Sequence, residues 1–194
     1  MTIYFIIGSI GGLLSGILGI GGGVVFVPLL TYLTKSDFKT NTGVSSLAVV
    51  FVASGSSITY VLNDFSDGSN LLFEILIIVF GGICGSYIGS KLTQSIDTAL
   101  LKKIFAILLI ASAYRIIFST SVSSAFQDNL VLYFLIGLVS GIGSGLLGIG
   151  GGIIRIPMLI FFGGFEQIIA QGISLLTTIP VSYTHLTLPT IYSV

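Results

Sequence analysis

The groups best placed to do chemistry in this sequence are main-chain amides. Gly19-Ile20-Gly21-Gly22-Gly23, followed by Pro28, and Gly148-Ile149-Gly150-Gly151-Gly152, followed by Pro157, both lie inside long apolar stretches. Consecutive glycines accept positive φ and close backbone approach, so each cluster can unwind a helix and free amide donors. The N–H groups opening the next half-helix carry partial positive charge and suit an anion. A proline shortly afterwards lacks an N–H and restrains φ, which helps hold a short half-helix at an angle. Arg155 stands between Ile154 and Ile156, and an ionisable side chain at membrane depth is a functional candidate, with snorkelling to the interface as its alternative. Ser45 and Ser174 follow Gly43 and Gly172 at equal spacing, with Thr42 and Gln171 ahead of them. They offer polar donors near a helix start, and capping or interhelical hydrogen bonding explains them equally well. Ser15 and Ser144 are weaker candidates. The expected substrate-binding set is Gly19, Gly21, Gly22, Gly23, Ser45, Gly148, Gly150, Gly151, Gly152, Arg155 and Ser174. Its expected ligand is a small anionic solute.

Other chemistries find no support. The glycine clusters lack the Gly-Lys-Ser/Thr ending and the alternating strand and helix context of nucleotide-binding loops. Asp64, Asp67, Asp97 and Asp128 fall in loops, Glu74 at a span end and Glu166 in a short connection, so no carboxylate pair is set up for acid–base work. The one histidine, His185, and the one cysteine, Cys84, build neither a metal site nor a disulfide. With 7 basic and 7 acidic side chains, no positive excess exists to neutralise nucleic-acid phosphates. No catalytic residue, metal or cofactor is assigned, and the chain is read as not an enzyme.

The elements that must position these groups are membrane helices. Only 7% of the 194 residues are charged, against about a quarter in soluble domains, too little polar surface to coat a particle in water. Apolar runs at Ile3 to Leu33, Gly43 to Leu62, Leu71 to Ser90, Thr98 to Phe118, Leu130 to Phe162 and Ile168 to Pro180 predict six membrane elements in an all-α, polytopic bundle. The first and fifth exceed the length of one straight span and carry the glycine clusters, so both are expected to be broken. The start has no basic signal-peptide region and reads as a retained first span. Lys35, Lys39, Lys91, Lys102 and Lys103 place the first and third connections in the cytoplasm. The second and fourth, without Lys or Arg, should face outward, with Arg115 near the outer end of the fourth span as an interface anchor. Single crossings throughout would then put the N-terminus outside, whereas a re-entrant first or fifth element would change that placement.

The segment Gly12 to Pro28 matches Gly141 to Pro157 without a gap, and the register continues from Thr42-Gly43-Val44-Ser45 to Gln171-Gly172-Ile173-Ser174. Two internal repeats are expected, each starting with a glycine-broken helix: residues 1–129, with about four spans, and an incomplete second repeat over 130–180. With four crossings between their starts they would run parallel. Broken helices in matching positions of two halves are a common way to build a transport site near the bilayer midplane. If instead the glycines only pack helices, the chain is a non-transporting scaffold or assembly subunit. Val181-Ser182-Tyr183-Thr184-His185-Leu186-Thr187-Leu188-Pro189-Thr190 resembles the translation of a sequencing-library adapter, so residues 181–194 are expected to be a non-native tail.

Both glycine blocks, with Gly43-Val44-Ser45-Ser46-Leu47 and Gly172-Ile173-Ser174-Leu175, resemble the TauE/SafE sulfite-exporter family over residues 1 to about 180. The resemblance implies a multi-pass protein of the plasma or inner membrane that moves a small anion such as sulfite, sulfoacetate or a related organosulfur compound. It also implies about eight spans in complete members. The lipid bilayer is the expected surrounding, and a homo-oligomer is left open.

Overall fold

The computed structural model describes residues 2–18, 20–34, 38–63, 71–97 and 129–191, with isolated helical positions between 99 and 114. The regular structure in these residues is helical throughout: α1 (Thr2–Leu18), α2 (Gly23–Thr34), α3 (Phe38–Asn63), α4 (Leu72–Ser95), α5 (Leu130–Leu147), α6 (Gly152–Phe161) and α7 (Gln167–Ile191). Thr40–Tyr60, Leu72–Thr93 and Leu130–Leu147 are long and apolar enough to cross a membrane. Outward faces carry Phe5, Leu13, Ile17, Phe51, Leu72 and Val131, all largely exposed on the chain and suited to lipid contact. The expected transmembrane helical bundle is therefore what the chain forms. Most of the fourth run, with Arg115 and Lys102, lies outside the described residues, as do Gly19, Lys35, Asp64, Asp67 and Asp128. α7 extends well past Pro180, and Val181 and Ser182 are buried.

The tightest packing joins α4 to α5, through glycines repeating every four residues on both helices. Gly81, Gly85 and Gly89 lie against the backbone of Phe134, Leu138 and Ile142, while Gly137, Gly141 and Gly145 lie against that of Ile78, Gly82 and Ser86. Small residues at this spacing let helix backbones touch where lipid supplies no hydrophobic drive to associate. The Thr93 hydroxyl lies 3.0 Å from the Gly145 carbonyl, linking the helix ends. Partner numbers rise together along the seam, so α4 and α5 are parallel. Gly85→Ala and Gly141→Ala would each force a methyl into backbone, lowering stability by about 1–3 kcal/mol. Gly12, where an added β-carbon meets nothing within 4 Å, is the control. Thermal unfolding in detergent reads the difference; equal midpoints for all three variants would contradict this seam.

The broken elements do not cross straight through. Phe26 of α2 lies against Gly11 of α1, and Gly22 lies beside Ser15, so residue numbers fall on one helix as they rise on the other. The second element repeats this: Arg155 Nε donates to Ser140 Oγ over 3.1 Å, and Gly151 lies beside Ser144. Each is a helical hairpin re-entering from the face it started on. This corrects the single-crossing expectation. α3 and the α4 span cross in turn, and α5 runs parallel to α4, so the second hairpin enters from the face opposite to the first instead of running parallel to it. The start of α1 shares the face of the first connection, which the lysine distribution assigns to the cytoplasm instead of the outside.

Candidate functional site

The two breaks meet. Gly23 lies against the backbone of Ile149, and Gly152 against that of Ile20, a reciprocal contact because both residues of each pair match in the self-aligned register. Gly21 and Gly150 both face Val49 of α3 and Thr178 of α7. φ is +83° and +82° at Gly21 and Gly22, and +77° and +75° at Gly150 and Gly151. Two successive residues in this region turn the chain back on itself, a conformation that would strain any residue bearing a β-carbon. Gly148, also left-handed, closes α5 with its N–H donating to the Ser144 carbonyl over 2.8 Å, and packs against Thr42. No side chain caps α6 at Gly151.

Arg155 stands one turn into α6 and is fully buried, 0% exposed, so it does not snorkel. Its Nη1 donates to the Ser174 carbonyl at 3.1 Å, to Thr178 Oγ1 at 3.3 Å and to Thr177 Oγ1, and its Nε to Ser140 Oγ. None of these acceptors is charged. Nη2, near Gly82 and Gly151, has no partner. Hydrogen bonds from a charged donor contribute roughly 1.5–3 kcal/mol each. They offset part of a desolvation cost of several kcal/mol, but supply no opposite charge.

Of the sequence-predicted residues, Gly21, Gly22, Gly23, Gly148, Gly150, Gly151 and Gly152 gather at the crossing, with Arg155 beside the second break. Ser174 joins Arg155 through its carbonyl. Ser45 is buried on α3, and the hydroxyls of Ser15, Ser45, Ser144 and Ser174 are all buried without a partner. One carboxylate oxygen of Glu74 is buried and unpartnered. The residues missed were Ser140, Thr177 and Thr178. Ser174, Thr177 and Thr178 share one helical face by their spacing, a signal that was present. Nearer the tip of the first hairpin, a pocket of about 330 Å³ is lined by Gly16, Ser56, Thr59 and Tyr60 and carries no charge.

The family model described as Sulfite exporter TauE/SafE matches residues 1–116 and again residues 74–190. Among curated proteins, the chain is 35% identical to a probable membrane transporter protein of Methanocaldococcus jannaschii, over 82% of this chain and 61% of the relative. It is 30% identical to one of Haemophilus influenzae, over 79% and 60%, and 27% identical to one of Bacillus subtilis, over 90% and 72%. The chain thus spans about 60% of the length of the first two. No solved structure matches.

Proposed function

We propose, from the premise that this chain belongs to the Sulfite exporter TauE/SafE family, that it takes part in moving a small anion such as sulfite or a related organosulfur compound across the plasma or inner membrane. The supporting observation is Arg155: a buried guanidinium with no charged partner among the described residues, one of its nitrogens unpartnered, beside the meeting point of two helix breaks. A solute anion would complete that charge balance, and the positive end of the α6 dipole would add to the attraction. Matching broken helices entering from opposite faces describe inverted repeats, the arrangement in which many secondary transporters hold solute near the midplane. Rocking one hairpin against the other would expose the site alternately to each side. A scaffold role would account for the glycine seam between α4 and α5, but leaves the uncompensated arginine unexplained. Reconstituted in liposomes, the protein is expected to support flux of sulfite, present near neutral pH partly as the monoanion hydrogensulfite, that responds to a proton gradient if coupled. No flux for any member of a small-anion panel would favour the scaffold.

A further inference from the structure

The two hairpins match in sequence and conformation, yet their surroundings differ in one concerted way. Arg155 corresponds in register to Phe26, and its partners Ser140, Thr177 and Thr178 correspond to Gly11, Ala48 and Val49. Every side chain that accepts from the guanidinium therefore has an apolar or absent counterpart in the first half. There Phe26 is 3% exposed, packs on Gly11 and Gly22, and joins Ile7, Leu30 and Val49 in a hydrophobic cluster. The guanidinium and its acceptors on one side are thus replaced by an apolar seal on the other, while the unpartnered hydroxyls of Ser15 and Ser45 match those of Ser144 and Ser174.

Resting on the anion-carrier reading above, we propose that the chain binds one singly charged oxyanion, held by the second half alone, and that Phe26 plugs the matching place in the first. The donors are the free Nη2 of Arg155 and the unpartnered hydroxyls of Ser144 and Ser174. The Ser140 carbonyl oxygen, Nη2 and Ser144 Cβ lie 2.9, 3.2 and 3.4 Å from one point, the β-carbon position of Gly151, so the guanidinium and Ser144 meet at the second break. Ser174 touches the same guanidinium through its carbonyl. The charge within this group is a single positive one, and no carboxylate is among the arginine's partners. A monoanion brings the buried sum to zero, whereas a dianion leaves one negative charge buried without compensation, a heavy penalty in a low-dielectric interior. A neutral ligand would leave the arginine as it is. The site thus selects by charge among oxyanions of similar shape.

Methanesulfonate and sulfate make the comparison, because both are tetrahedral sulfur oxyanions and they differ in charge. Calorimetric titration of the full chain in lipid nanodiscs is expected to give one methanesulfonate per chain and about 100-fold weaker binding of sulfate. Ser144→Ala and Ser174→Ala should each weaken methanesulfonate about tenfold while leaving the unliganded melting temperature unchanged. Phe26→Leu should leave affinity and stoichiometry as they were. Two anions per chain, sulfate binding as tightly as methanesulfonate, or equal losses from Phe26→Leu would overturn the one-sided site while leaving anion carriage intact. Binding of neither anion, with no flux in liposomes, would overturn both readings.

Discussion

Arg155→Gln is expected to reduce anion binding by about 2–4 kcal/mol, roughly 30- to 1,000-fold, with little loss of fold stability. The stability half follows from the hydroxyls around the guanidinium, each of which has another acceptor within reach. Ser140 Oγ lies 3.0 Å from the Gly137 carbonyl, Thr177 Oγ1 2.8 Å from that of Ile173, and Thr178 Oγ1 2.8 Å from that of Gly150. Removing the charge therefore orphans none of them. It also relieves the burial of a cation with no ionic partner among the described residues, which costs several kcal/mol by itself. A purely structural arginine would behave in the opposite way, and its loss would lower the melting temperature. Arg155→Lys should fall between, since it keeps the charge but loses the planar fork that reaches several acceptors at once. Measuring the anion-induced rise in melting temperature alongside the unliganded value separates the cases. A variant that melts several degrees lower yet still responds to anion would refute the assigned role.

Gly152→Ala and Gly23→Ala should each be strongly damaging. A β-carbon on Gly152 would lie 2.5 Å from the Ile20 carbonyl oxygen and 2.9 Å from its carbon, and one on Gly23 would overlap the backbone at Ile149. The obstacle in both cases is main chain held in the facing break, which cannot rotate aside as a flexible side chain can. We expect a loss of about 3 kcal/mol, the upper end for overpacking, with the reciprocal contact between the breaks opened. Because the two contacts join the same pair of loops, the double variant should cost less than the sum of the singles. Gly8→Ala, in open space on α1, is the matched control and should be neutral. Thermal unfolding of the four variants in detergent decides the matter. Additive costs, or wild-type stability for Gly152→Ala, would show that the breaks do not bear on one another.

Composition and run length were sufficient for the membrane class, because a chain with so few charges has no other way to solvate its surface. The breaks were legible too, since glycine triplets inside over-long apolar runs have few other uses, and the self-match tied them to each other. Local sequence could not say which way the chain went after each break. Whether Gly21 and Gly22 bend the chain onward or back depends on where Phe26 finds its packing partners, and these lie on α1 and α3. The parallel-repeat expectation failed on that point. Arg155 is the second example: its identity marked it as a candidate, but snorkelling and burial differ only in what surrounds α6.

The seam of α4 and α5 stands between these cases, with its every-fourth-residue glycines readable in sequence but its partner and parallel direction set in three dimensions. Periodicity and composition thus determined that this chain is a lipid-embedded helical bundle with two glycine-broken segments, because both are properties of the chain and its solvent. Tertiary structure alone decided that the breaks touch, that their hairpins oppose, and that only one of them surrounds a buried cation. Those outcomes depend on contacts between residues far apart in the chain, such as Gly23 with Ile149 and Gly21 with Thr178, and no local pattern encodes which distant surfaces will fit.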